Sequence, residues 1–175
     1  MNKKPNVSPW AWVPSLYFAE GLPYVVVITV STIIYKNLGL SNTDITFYTG
    51  WLYLPWVIKP FWSPFVDNIR TKRFWVVTTQ LLMGVLIASV GLTLPVDNFV
   101  RWSLIFFWLI AFSSATHDIA ADGFYMLGLD AHNQSFFVGI RNTFWRVASI
   151  SAQGGLVYLS GLLISQNMSA KKVWT

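Results

Sequence analysis

Long apolar runs separated by short polar connections dominate this chain and leave it few ways to fold. Residues 10–35, 45–66, 74–94, 102–121 and 140–165 each read as one membrane-crossing segment, about the twenty residues a bilayer core demands of a helix. Inside a bilayer every backbone N–H and C=O needs a partner within the protein, so segments of this length are expected to be helices. The expected fold is an all-α integral membrane protein with about five transmembrane helices. Composition agrees: 54% of the residues are hydrophobic and only 11% charged, outside the range of ordinary soluble domains. A net charge of +5 would point to nucleic acid in a soluble chain. Here the cations sit mostly in short loops, and no nucleic-acid partner is expected. Trp10, Trp12, Trp51, Trp75 and Trp102 near segment ends fit the aromatic belts of a membrane protein. With no cysteine, neither a disulfide framework nor a thiolate metal site is available.

The informative residues are the charges inside these runs. A charged side chain deep in a bilayer costs roughly 2.5–3.5 kcal/mol on insertion scales, so such residues face a bundle interior and mark ion or substrate paths. Glu20 lies about 15 Å along the first segment, near the midplane, just before Pro23, which is expected to kink the helix. Lys59 sits roughly 10 Å inside the second segment. Asp118 and Asp122 occupy one face of the fourth, at depths of about 24 and 30 Å, with Ser114 one turn before them. The fifth opens with a polar stripe at helical spacing, Asn142, Arg146, Ser149 and Gln153. Arg146 is placed near the depth of Asp118, and the expectation is that it pairs with Asp118 or Asp122. A carboxylate pulled one way by burial and the other by a nearby cation is switchable by a proton, as a proton-coupled carrier requires. A static charge network that only sets helix registry is the alternative.

Between the segments, Ser41 or Thr43 is expected to cap a helix, and residues 123–139 read as a mixed loop centred on Asp130, His132, Asn133 and Gln134. Gly84, Ala88 and Gly91 form a small-residue stripe suited to close helix contact. Lys3, Lys4 and the three cations of residues 67–73 place the amino terminus and that loop in the cytoplasm by the positive-inside rule. An enzyme reading rests on His117 and Asp122, spaced as in H-x-x-x-x-D acyltransferases. On a continuous helix that spacing points the side chains about 140° apart, so the dyad needs the helix to end between them. A metal site from His117, Asp118, Asp122 and His132 has no recognised ligand spacing. Neither an enzyme nor a cofactor or metal is expected.

The runs Phe18-Ala19-Glu20-Gly21-Leu22-Pro23, Lys59-Pro60-Phe61-Trp62-Ser63-Pro64-Phe65-Val66-Asp67 and Asp118-Ile119-Ala120-Ala121-Asp122 together resemble the AmpG-type muropeptide permeases of the major facilitator superfamily. The likeness covers nearly the whole chain in matched order. It implies twelve or more helices in two halves, with residues 1–175 forming an incomplete amino-terminal half of six helices, the remaining helices of the same carrier being the missing partner. It implies proton-driven import of anhydromuramyl peptides, small-molecule substrates, across the bacterial inner membrane. Asp118 and Asp122, with Glu20, become candidate proton-coupling residues; Lys59, Arg146, Asn142 and Gln153 candidate substrate or counter-charge groups. Asp67, Arg70, Lys72 and Arg73 resemble the superfamily's gating loop, although Arg70-Thr71 stands where Gly-Arg is usual. Glu20 stands where a small polar residue is expected, and Gly154-Gly155 lacks the proline of drug antiporters. A related transporter for another solute, and a truncated transport-incompetent piece, are the rival expectations.

Overall fold

In the computed structural model, which describes residues 7–175, four helices are long and apolar enough to cross a membrane. They are α1 (Pro9–Asn37), α2 (Lys72–Thr93), α3 (Phe99–Gly128) and α4 (Ala131–Ser165); a short helix, α5 (Ala170–Trp174), follows. No strand occurs among the described residues. The all-α membrane fold expected from the sequence is therefore the fold observed. Lys3 and Lys4, part of the orientation argument, lie outside the described residues.

The segment expected to span 45–66 is a chain of short helical pieces: Asn42–Thr49, Gly50–Tyr53, Leu54–Ile58, Lys59–Phe61 and Ser63–Asn68. Its prolines explain the breaks. Pro55, Pro60 and Pro64 each fall in the first turn of a piece, where a missing N–H costs nothing, and each prevents the preceding turn from running on. Ser41 caps the first piece by accepting from Asp44 N at 3.1 Å, as the sequence indicated.

Residues 123–139 are not a loop. Helix α3 runs to Gly128 and α4 begins at Ala131, leaving only Leu129 and Asp130 between them. Two of the polar residues taken for loop formers, Asp130 and Gln134, are caps. Asp130 accepts from Asn133 N at 2.8 Å, and Gln134 Nε2 donates to Met126 O and Leu129 O at 3.0 and 2.9 Å, satisfying the last carbonyls of α3.

α1 and α3 form the central pair, about half buried, while α2 and α4 expose most of their surfaces. α2 packs on the core shared with α3 through Leu86 and Val90, not through the small-residue stripe. Gly84 has no heavy atom within 4 Å of where a side chain would start, and Gly91 faces Thr175 O at 3.2 Å. α1 meets α4 more closely: a methyl added at Gly21 would lie 2.8 Å from Trp145 O. Past Pro23, α1 widens into a π-turn at Val26–Val30, and α4 does so at Ser151–Leu156. These wide turns lie beside each other, with Gln153 Nε2 at 3.5 Å from Thr29 Oγ1.

Two apolar clusters form the core. One gathers Val25, Val27, Val30, Ile34 and Tyr35 of α1 with Phe107, Ile110 and Ala111 of α3. The other gathers Val13, Leu16 and Tyr17 of α1 with Ala121, Tyr125 and Leu129 at the opposite end of α3. Because α1 and α3 are antiparallel neighbours, the residues between these clusters share one level: Glu20 on α1, Ser114 and Asp118 on α3.

Candidate functional site

Glu20 is only 9% exposed, and among the described residues no donor reaches its Oε2. The group beside it is another acid. Its carboxyl lies within hydrogen-bonding reach of the Asp118 carboxyl and in electrostatic range of Asp122 and Arg141. Asp118 is itself ion-paired with Lys59, which reaches across from the broken segment at the turn Lys59–Phe61. Lys59 is therefore not extended outward to the interface. A cleft of about 240 Å³ opens onto these groups, lined by Glu20, Tyr24, Trp56, Ser114, Asp118 and Trp145. Tyr24 holds the aromatic wall together, with ring centroids 5.0 Å from Trp56 and 5.5 Å from Trp145.

One turn along α3, Asp122 belongs to a different arrangement. Asp122 Oδ1 accepts from Arg141 Nη1 at 3.0 Å and from Tyr17 OH at 3.1 Å, and Arg141 Nη1 also donates to Tyr17 OH at 3.0 Å. The guanidinium stacks over the rings of Tyr17 and Tyr125, 4.8 and 5.2 Å from their centroids. One residue each from α1, α3 and α4 thus meets in a closed triangle.

Arg146, the expected partner of Asp118 or Asp122, meets neither. Asp118 pairs with Lys59 and Asp122 with Arg141, while Arg146 is exposed. The reason is helical phase. Residues 141, 145, 148 and 152 form the stripe of α4 that packs against α1, with Trp145 and Ala148 closing on Gly21. The stripe Asn142, Arg146, Ser149 and Gln153 is one residue further on, rotated by roughly 100°. Asn142, Arg146 and Gln153 therefore lie on an outward face. The connection of 129–130 adds to the mismatch, since starting α4 at Ala131 sets Arg146 about 22 Å along it.

In the loop between the broken segment and α2, Lys72 pairs with Asp67, and its stem runs over Gly123 of α3, with Cε 2.7 Å from where a Gly123 side chain would begin. Arg70 lies over the Phe74 ring at 5.6 Å. Arg73 lines a separate cleft of about 580 Å³ between α1 and α2, together with Gln80. His117 is fully buried, and neither of its nitrogens has a partner among the described residues. α3 is continuous through both His117 and Asp122, so the acyltransferase dyad does not form. No group of residues able to hold a metal occurs among the described residues.

The BT1 family model matches residues 19–173. The chain belongs to the BT1 family. Among this BT1 chain's relatives, the anhydromuropeptide permease of Escherichia coli K12 is 29% identical over 157 residues, covering 83% of this chain and 30% of the relative. A Rickettsia conorii protein bearing the name AmpG 4 is 24% identical over 153 residues, covering 83% and 36%. An uncharacterized protein of Haemophilus influenzae is 27% identical over 150 residues, covering 83% and 35%. The chain spans about a third of the length of the curated relatives it matches, and no solved structure matches it. The AmpG-like resemblance read from the motifs thus holds across most of this BT1-family chain.

Sequence reasoning did not assign Arg141, Tyr17 or the aromatic wall of Tyr24, Trp56 and Trp145. A signal for Arg141 was present. It is the cation whose phase on α4 matches Trp145 and Ala148, and a cation on a helix's packing face must find an acid. The aromatic wall carried no signal, because Trp and Tyr are common throughout this chain.

Proposed function

We propose that this multi-pass chain is part of a secondary active transporter of the AmpG type, not an enzyme, coupling inward proton movement to import of anhydromuramyl peptides. Glu20, Asp118 and Asp122 are the candidate coupling acids. The observation that carries the reading is the level at which Glu20 and Asp118 sit. Two facing carboxyls and a lysine, between two apolar layers of a membrane bundle, are costly unless an ion or solute path needs them. The relatives named as a permease and as AmpG 4 support it. The aromatic and carboxyl lining of the adjoining cleft suits a ligand with both apolar faces and hydrogen-bonding groups.

In this reading Asp67, Arg70, Lys72 and Arg73 form the cytoplasmic gating loop, with Lys72 tying it to α3 at Gly123. The outward stripe of Asn142, Arg146 and Gln153 serves a carboxylated substrate. The location is a bacterial inner membrane, with the amino terminus and the loop of residues 67–73 inside. Cysteine introduced at Lys72 in this cysteine-free chain should label only from the cytoplasm; periplasmic labelling reverses the orientation. The transport test is uptake of labelled anhydromuramyl peptide by cells expressing the protein from its own gene, under an imposed pH gradient. Asp118→Asn should abolish gradient-driven uptake. Uptake retained with an unchanged pH profile sinks the coupling role, and gradient-driven uptake of a different solute in preference moves the reading to a related transporter.

A further inference from the structure

Three acids and two cations lie near one another: Glu20 and Asp118 with Lys59 between the apolar layers, and Asp122 with Arg141 one turn further along α3. Fully ionised, the cluster carries one surplus negative charge. Asp122 is not the source of the excess, because Arg141 and the Tyr17 hydroxyl satisfy it at hydrogen-bond distances. The excess falls on Glu20 and Asp118. These carboxyls lie within hydrogen-bonding reach of each other and line one cleft, yet among the described residues no donor serves the buried Glu20 Oε2. Two carboxylates that close repel strongly, and a single proton between them removes the repulsion and supplies the missing donor.

We infer that the Glu20–Asp118 pair is the proton-binding site, holding one proton between its two carboxyls, and that the Lys59 ammonium takes that proton's place when it leaves. Lys59 already pairs with Asp118, so proton and ammonium compete for one pair of acids. When the proton is lost to water, an O–H bond breaks, both carboxylates are charged, and Lys59 is drawn between them. Lys59 stands on a turn of the broken segment between Pro55 and Pro60, the least continuous part of the bundle. Proton occupancy thus sets how closely that segment is held to α1 and α3.

The other groups around the pair are accounted for. From α1 these are Tyr17 and Tyr24; from α3, Asp122 and His117, the latter in electrostatic range of Asp118; from α4, Arg141. Arg141 is committed to Asp122. Asp122, bonded to Tyr17 and Arg141, holds α1, α3 and α4 in register.

The consequence for coupling rests on the transporter reading, but the proton site can be measured without transport. The protein as its gene encodes it is purified into lipid, and the infrared C=O band of protonated carboxyls is followed against pH. A single band with the amplitude of one carboxyl is expected. In Glu20→Gln and in Asp118→Asn it should move down into the ordinary range of free carboxyls, since the remaining acid gains an amide donor and Lys59. Asp122→Asn should leave it in place, and Lys59→Met should move its midpoint up by about 1–3 pH units, because the competing cation is gone. These substitutions nearly preserve shape, and thermal melting checks that each variant is folded. A band unmoved by Glu20→Gln, or displaced as far by Asp122→Asn, overturns the inference. The expected band pattern without gradient-driven uptake would retain the site and reject the transport reading. Gradient-driven uptake without the band would do the reverse.

Discussion

Replacing Gly21 with alanine tests the close contact between α1 and α4. The added methyl would stand 2.8 Å from Trp145 O, and 3.2 Å from both Ala148 Cβ and Trp145 Cδ1. Carbon contacts are comfortable at about 3.5–4.0 Å, so α1 and α4 must part by roughly 0.5–1 Å. The carbonyl of Trp145 is fixed in the backbone of α4 and cannot turn aside. Overpacking of this kind costs about 1–3 kcal/mol, and alanine's advantage over glycine in a helix returns about 0.5–1 kcal/mol. The net expectation is a loss of about 0–2.5 kcal/mol. At about 2–4 °C per kcal/mol for a chain of this size, the melting temperature should fall by up to roughly 10 °C. Gly84→Ala is the matched control, because nothing lies within 4 Å of the new methyl; the same helix advantage should raise the melting temperature by roughly 1–4 °C. Both are read by tryptophan fluorescence during heating in one detergent. If Gly21→Ala melts above the parent protein, with the same sign of shift as Gly84→Ala, the α1–α4 contact is not as close as argued.

Arg141→Met should destabilise by about 1–3 kcal/mol, tempered by the partial exposure of the pair. Adding Asp122→Asn should recover part of that loss; a double variant no better than the sum of the singles, in the same melting assay, would show that the two groups do not interact. Arg146→Gln, on the exposed face, should leave the melting temperature of the detergent-solubilised protein within about 0.5 kcal/mol of the parent, and a larger drop would restore Arg146 to the interior network. Asp130 has its carboxyl held below the usual aspartate range, chiefly by the Asn133 backbone N–H. The folded state thus binds this proton less readily than the unfolded, so the cap's contribution is present above about pH 4 and is lost as pH falls further. Asp130→Asn keeps a capping oxygen without titrating, so its melting deficit relative to the parent should shrink between about pH 6 and pH 3. A constant or widening deficit would contradict the sign.

Local chemistry determined much of this protein before any packing was known. Uninterrupted apolar runs can satisfy their backbones only as helices, which made the all-α membrane fold legible. Ser41 capped its helix where the sequence put it, and the cost of burying charge singled out Glu20, Lys59, Asp118 and Asp122 as residues with partners to find. Proline density, however, looked tolerable for one span and instead broke residues 42–68 into pieces. Polar residues looked like a loop and instead capped two helices two residues apart. Tertiary structure alone chose the partners, giving Asp118 to Lys59 and Asp122 to Arg141 and turning Arg146 outward. Depth along a helix is written in the sequence, one rise per residue. Rotation about the helix is settled only when the neighbouring helix docks, and a close contact at Gly21 turned α4 so that Arg141, and not Arg146, faces the acids.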